Sequence, residues 1–270
     1  MNNEGNFVEL NKSGKIWAIG SIHSNLKSFN SIKEFILNNF EKNDKLVFLG
    51  NVVGLGKNSK ETLSSVINLR FSLMSKFKLK PLSIIFLRGA QEEMFSKLLQ
   101  LQLAPNPSEI IEWMFDHGVN ETVKSYGFTE NEVKNIASSG TINISKWTSS
   151  LNKVLQNNPG HTEYFLNLKH AAYSRSKKIL FVNRGVDITR PLSAQNDCFW
   201  WGFQNFSKIQ RPYKTFLRIV RGYESEHLDH LDISKNNIVC TLFKQPLSNK
   251  SILCGIFEEN GEILDLFENK

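Results

Sequence analysis

The sequence has no apolar stretch long enough to span a bilayer. Its polar first segment, Met1–Ser13, has none of the apolar core of a secretory leader. These two absences predict a cytoplasmic protein. Cysteine is scarce: Cys198, Cys240 and Cys254 are an odd set without CxxC spacing, which excludes a disulfide framework and reads as reduced thiols. No Gly-x-Gly-x-x-Gly follows an apolar run, so a dinucleotide fingerprint is missing. Gly50–Ser59 is no Walker loop either, because five residues separate Gly50 from Gly56 and Asn58 follows Lys57. There is also no long block of one charge. The 33 basic and 26 acidic residues are scattered, so the net +7 describes a mildly basic surface without the arm of a nucleic-acid binder.

What is present suffices for a core: 40% of residues are hydrophobic and 22% charged, which suits one sizeable domain over 1–270. Five short apolar runs end alike. Lys15–Ile19 stops at Gly20, Lys45–Leu49 at Gly50, Leu82–Leu87 at Arg88-Gly89, Lys178–Val182 at Asn183-Arg184-Gly185, and Thr215–Val220 at Arg221-Gly222. Short, Ile/Val/Leu/Phe-rich and stopped by glycine, they read as strands. Helical spacing of Leu26, Phe29, Ile32, Ile36 and Phe40 predicts a helix over about 26–40, and a second follows over about 60–76. The alternation is a parallel βαβ layout in an α/β fold. Ligands then bind outside the carboxyl ends of the strands. That rule gathers Ser21, His23, Asn51, Ala90, Gln91, Asn183, Arg184, Arg221 and Tyr223 at one pocket. Residues 91–169 read as a helical insertion, with helices near 92–103, 108–115, 130–136 and 162–168. Asn260-Gly261, between runs at Ile252–Phe257 and Glu262–Leu266, signals a closing hairpin.

In order and in their flanks these runs resemble the calcineurin-like metallophosphoesterases, in the branch of bacterial protein Ser/Thr phosphatases and diadenosine-tetraphosphate hydrolases. Gly20-Ser21-Ile22-His23-Ser24 stands for Gly-Asp-x-His-Gly. Gly50-Asn51-Val52-Val53-Gly54-Leu55-Gly56 stands for Gly-Asp-x-Val-Asp-Arg-Gly, and Arg88-Gly89-Ala90-Gln91-Glu92 for Arg-Gly-Asn-His-Glu. Further on, Trp113, Gly118 and Ser125-Tyr126-Gly127 match the bacterial branch. Phe181-Val182-Asn183-Arg184-Gly185 replaces Phe-Val-His-Ala-Gly, and Val220-Arg221-Gly222-Tyr223 replaces Val-His-Gly-His. The resemblance covers about residues 15–265 and implies a four-layer αββα sandwich with a helical insertion.

In the family those aspartates, the asparagine and the histidines hold two metal ions. Here their places are taken by Ser21, Asn51, Ala90, Asn183 and Tyr223; the leaving-group histidine is Gln91, and the Asp-Arg pair is Gly54-Leu55. Of the ligand set only His23 remains. A two-metal site needs anionic ligands to hold two divalent ions about 3.5–4 Å apart, and neutral Ser, Asn, Gln and Tyr are poor primary ligands. An arginine about 5 Å from such an ion would cost roughly 6–7 kcal/mol at an effective dielectric near 20, and Arg184 and Arg221 have arrived there. The expectation is a chain without a dimetal cofactor. It would act as an inactive phosphatase-like protein that binds a phosphate-containing ligand, a phosphoprotein or a protein partner, with Arg88, Arg184 and Arg221 available for an anion. The alternative is an active phosphoesterase with altered metal dependence.

Other groupings carry less. His227 and His230 among Glu224, Glu226, Asp229 and Asp232 match no metal-ligand spacing. Cys198, beside Phe199-Trp200-Trp201, has no basic activator nearby and reads as a structural thiol, with the tryptophans in the core. Ser21 and His23 would point the same way in an extended segment and could touch, without a carboxylate to orient them.

Overall fold

The computed structural model describes residues 3–11, 14–202, 206, 209–223, 238–243 and 251–269. Two five-stranded mixed sheets pack face to face. The first has the order β10-β9-β2-β3-β4, built from Ile263–Glu268, Leu253–Phe257, Ile16–Ile19, Lys45–Phe48 and Ile84–Phe86. The second has the order β1-β5-β6-β7-β8, built from Phe7–Leu10, Ala171–Ser174, Ile179–Val182, Arg218–Arg221 and Val239–Thr241. The pairs β2–β3, β3–β4, β6–β7 and β7–β8 are parallel, so these strands deliver their carboxyl ends to one edge. β9 and β10 form the expected antiparallel hairpin around Asn260-Gly261.

Period-two alternation builds the layers. Ile16, Ala18, Val47 and Leu49 face the other sheet and meet Ile179, Phe181 and Val220 there. Trp17, Ile19, Leu46 and Phe48 face outward onto helices. The first helix, α1 (Leu26–Asn39), buries Phe29, Ile32 and Ile36, and the Asn25 side chain caps it by accepting from Ser28 N at 3.2 Å. The second, α2 (Ser59–Phe77), lies beside it. The outer face of the second sheet is covered more thinly, by Phe199, Trp200, Phe206, Tyr213 and Phe216 packed on Leu180, Val182 and Ile219.

The insertion contains α3 (Ala90–Leu98), α4 (Pro107–Asp116), α5 (Val119–Ser125), α6 (Glu130–Ala137), α7 (Thr141–Gln156) and α8 (His161–Leu166), and α9 (Cys198–Trp201) follows later. The two insertion helices that sequence reading passes over are α5 and α7. In α7 dense Ser, Thr and Asn mask a clear buried stripe of Ile144, Trp147, Leu151 and Leu155. β1 and β5 pair only with each other and β6, too short and too weakly patterned to stand out. Among the described residues, no helix is long and apolar enough to cross a membrane. Trp200 is core and Trp201 half-buried, while Cys240 and Cys254 are buried free thiols and Cys198 a half-buried one. The grouping around His227 and His230 lies outside the described residues.

Candidate functional site: a hydrogen-bonded strand edge

The loops after β2, β3, β4, β6 and β7 meet as the βαβ rule requires. Ile22 N and His23 N both donate to Asn51 O, at 3.0 and 2.8 Å, and Ser24 N donates to Val52 O at 2.9 Å. The two sheets are tied where Ser21 N donates to Gly222 O at 2.9 Å and Asn183 Nδ2 donates to Leu49 O at 2.6 Å. Asn183 O accepts from both Gly222 N and Tyr223 N.

The side chains at this edge bind one another. Asn51 Nδ2 donates to Ser21 Oγ at 3.3 Å, while Asn51 Oδ1 accepts from Gln91 N at 3.1 Å. Gln91 is swung toward the insertion, where its Nε2 donates to His117 O at 2.8 Å. A Cβ on Gly54 would overlap the Gln91 carboxamide, and Gly54 has φ +86°, so the bare position 54 and the glutamine at 91 fit one another. Ala90 opens α3 and contributes no polar side-chain atom.

Beneath this surface sits Glu92, fully buried. It accepts from Asn51 N and Gly89 N through Oε2, at 2.8 and 3.0 Å. Through Oε1 it accepts from Val52 N, Val53 N and the Tyr164 hydroxyl, at 2.7, 3.4 and 3.2 Å. Burial pushes its pKa up from the usual carboxylate range, and the backbone donors pull against that. His23, Ser24, Asn51 and Leu55 hold positive φ without being glycine. Such strain persists only where the surroundings over-determine it. Glu92 supplies that restraint at Asn51.

His23 is 8% exposed, and neither ring nitrogen has a hydrogen-bond partner among the described residues. Its ring lies edge-on to Tyr223 and Phe243, with centroids 5.2 and 6.0 Å away. Burial lowers its pKa to about 4, so the ring is neutral at ordinary pH. The Ser21–His23 contact is not made. His23 has φ +47°, so the segment is not extended and Ser21 Oγ goes to Asn51 instead.

The three arginines separate. Arg221 shares the outward face of β7 with Ile219. It is buried there, donating from Nε to Thr241 Oγ1 at 2.7 Å and stacking on Phe206 at 4.8 Å. Arg88 binds Glu93 at 2.6 Å and lies over Trp200 at 5.8 Å. Arg184 alone reaches the mouth, across Tyr223 at 5.7 Å and against Gly202. The two expected cations are therefore not both aimed into the cleft, because period two turns Arg221 to the opposite face of its sheet.

Around the mouth runs a rim that sequence reading left unassembled. Leu55 (39% exposed) packs on Gly118, and Trp113 (45% exposed) stacks on His117 at 4.3 Å and meets Trp201 edge-on at 5.8 Å. Gly202 then leads to Arg184, Tyr223 and His23. Phe243 was also missed, although it stands just past β8 and so obeys the same end-of-strand rule as the others.

No protein-family model matches the sequence, and no curated protein matches it. Solved structures do. A crystal structure provisionally assigned as a diadenosine tetraphosphatase matches with a TM-score of 0.55 over 98% of this chain and 98% of its own, at 14% identity. A protein serine/threonine phosphatase from Saccharomyces cerevisiae matches with a TM-score of 0.51 over 98% of this chain and 82% of its own, at 16% identity. The chain has the metallophosphoesterase fold.

That fold implies a pair of metal ions at this edge, and the donor set does not fit them. Ser21 Oγ and both polar atoms of Asn51 are engaged with each other and with backbone, Asn183 Nδ2 is turned to Leu49, and Glu92 has its oxygens filled by N–H and O–H donors. No cluster of three or more His, Cys, Asp and Glu suited to a metal exists among the described residues. One desolvated imidazole does not make a site.

Proposed function

We propose that this chain is a non-catalytic relative of the phosphatases that acts by binding a phosphorylated or otherwise acidic protein segment at the former catalytic mouth. One observation carries this reading: no side chain at the metal-ligand positions is a carboxylate, and Ser21, Asn51 and Asn183 Nδ2 are hydrogen-bonded to one another and to backbone, which leaves no anionic cradle for a metal pair. The rim supports the binding role. It offers exposed apolar and aromatic area at Leu55 and Trp113, backed by half-buried Trp201, beside the guanidinium of Arg184, the mixture that anchors peptide recognition.

The test is a set of three measurements on purified protein. Elemental analysis is expected to find less than one equivalent of manganese, iron or zinc, and aryl phosphate hydrolysis with added manganese to stay at the level of a His23→Ala variant. Phosphoserine peptides are expected to raise the melting temperature, and Arg184→Ala to abolish that shift. Two equivalents of metal, or metal-dependent turnover lost on His23→Ala, would replace this reading with that of an active phosphoesterase.

A further inference from the structure

The opposite edge of the first sheet carries a cleft, away from the mouth described above. It lies at the amino ends of β3 and β4, between the α1–β3 turn and the α2–β4 connection, and encloses about 560 Å³. That volume is within the roughly 300–1,000 Å³ of small-molecule sites. Four lysines frame it: Lys42, Lys45, Lys78 and Lys80. Its apolar side is made by Phe77, Leu79 and Pro81, with Leu82 at the lip, 54% exposed.

Among the described residues, no acidic residue lines this cleft. The two nearest along the chain are engaged elsewhere. Glu41 pairs with Lys15 at 3.6 Å. Buried Asp44 accepts from Lys15 N at 2.9 Å, Trp17 Nε1 at 2.8 Å and Glu41 N at 3.1 Å. None of the four lysines forms an ion pair among the described residues. Lys45 is the innermost, half-buried, with its Nζ held by a 3.2 Å hydrogen bond to Ser83 Oγ. Its pKa is drawn below the usual lysine value by burial, with the positive charge of Lys80 adding and Asp44 opposing. The fold thus gathers four lysines around an apolar floor, with no carboxylate among the described lining residues.

We propose that this cleft binds a small organic anion carrying two or more phosphate groups, with Lys42, Lys45, Lys78 and Lys80 around the phosphates and Phe77 and Leu79 under the organic body. Four cations call for more than one anionic group, and ammonium groups serve phosphate as point charges from several directions. The enclosed volume suits a small molecule rather than a nucleic-acid strand. The site is independent of the mouth on the other edge.

Calorimetric titration of the intact chain at low salt tests it, with sodium tripolyphosphate and with ATP as probes. Saturable 1:1 binding is expected, about fivefold or more tighter for ATP because of the apolar floor. Lys45→Gln/Lys80→Gln is expected to weaken ATP at least about tenfold. Lys146→Gln/Lys153→Gln, an equal loss of charge on α7, should leave it within about twofold. Should the Lys45 variant fold poorly, Lys42→Gln/Lys78→Gln, both exposed, replaces it with the same tenfold expectation. Absence of saturable binding, equal weakening by the α7 pair, or equal affinity for both probes would overturn the proposal. So would binding to phosphatidylserine vesicles without binding to the soluble anions.

Discussion

The two ends of the first sheet have handled their polar groups in opposite ways. At the carboxyl edge Ser21, Asn51, Gln91, Asn183 and Glu92 are bonded to one another and to the loops that carry them. At the amino edge Lys42, Lys45, Lys78 and Lys80 stand around an open cleft with no carboxylate among its lining residues. The difference teaches that a site is recognised by what its polar groups are left to do, not by their number. An edge whose loops are tied together by such hydrogen bonds contributes to stability. An edge where lysines gather without ion pairs contributes little to stability and attracts an anion.

Breaking the closed edge should therefore cost most where a single group satisfies most partners. Glu92→Ala strands backbone donors at Asn51, Val52 and Gly89 and is expected to lower stability by about 3–5 kcal/mol, read by urea unfolding. Glu92→Gln should lose less, since it keeps one acceptor oxygen. Next comes Gly54→Ala, at about 2–3 kcal/mol, from its positive φ and the overlap with Gln91. Adding Gln91→Ala should recover about 1 kcal/mol, and a double-mutant cycle without coupling would show that the two positions are not matched.

Acid sharpens the comparison further. His23 titrates near 4 when folded and near 6.5 when unfolded, so the unfolded state binds the proton first. Its stabilising contribution is complete above pH 6.5 and falls as pH drops toward 4, by about 3 kcal/mol at most. His161 and His170 are lowered to about 4 as well and share this window. His23→Phe keeps the aromatic packing and is expected to flatten the pH profile of unfolding by up to that amount. The smallest effect belongs to the open edge. Lys80→Gln should change stability by less than about 0.5 kcal/mol, in the stabilising direction at low salt and not at all at high salt. A larger loss would mean that the lysines belong to a structural network after all.

Five strands were legible because each is a short apolar run stopped by glycine; four, such as Ile16–Ile19 and Lys45–Phe48, fall inside the runs read from sequence, while Arg218–Arg221 extends one residue past its run. The convergence of Ser21, Asn51, Asn183 and Tyr223 followed from the same rule. Arg221 shows where that rule stops. Being next after an apolar run places a residue at the edge, but its parity within the strand decides which face it takes, and Arg221 falls on the face of Phe206. Glu92 was visible as a surviving motif letter, but nothing local reveals that backbone donors from two loops close on it.

From its sequence alone this chain's α/β layering is determined, and so is the absence of acidic residues from the ligand positions of the metallophosphoesterase motifs, since both are properties of spacing and residue type. The tertiary structure decided the rest. Hydrogen-bond partners, the desolvation of His23 and the gathering of Lys42 with Lys80 depend on groups far apart in the chain being brought within a few ångströms, and their energies are set by that proximity and by the water it removes.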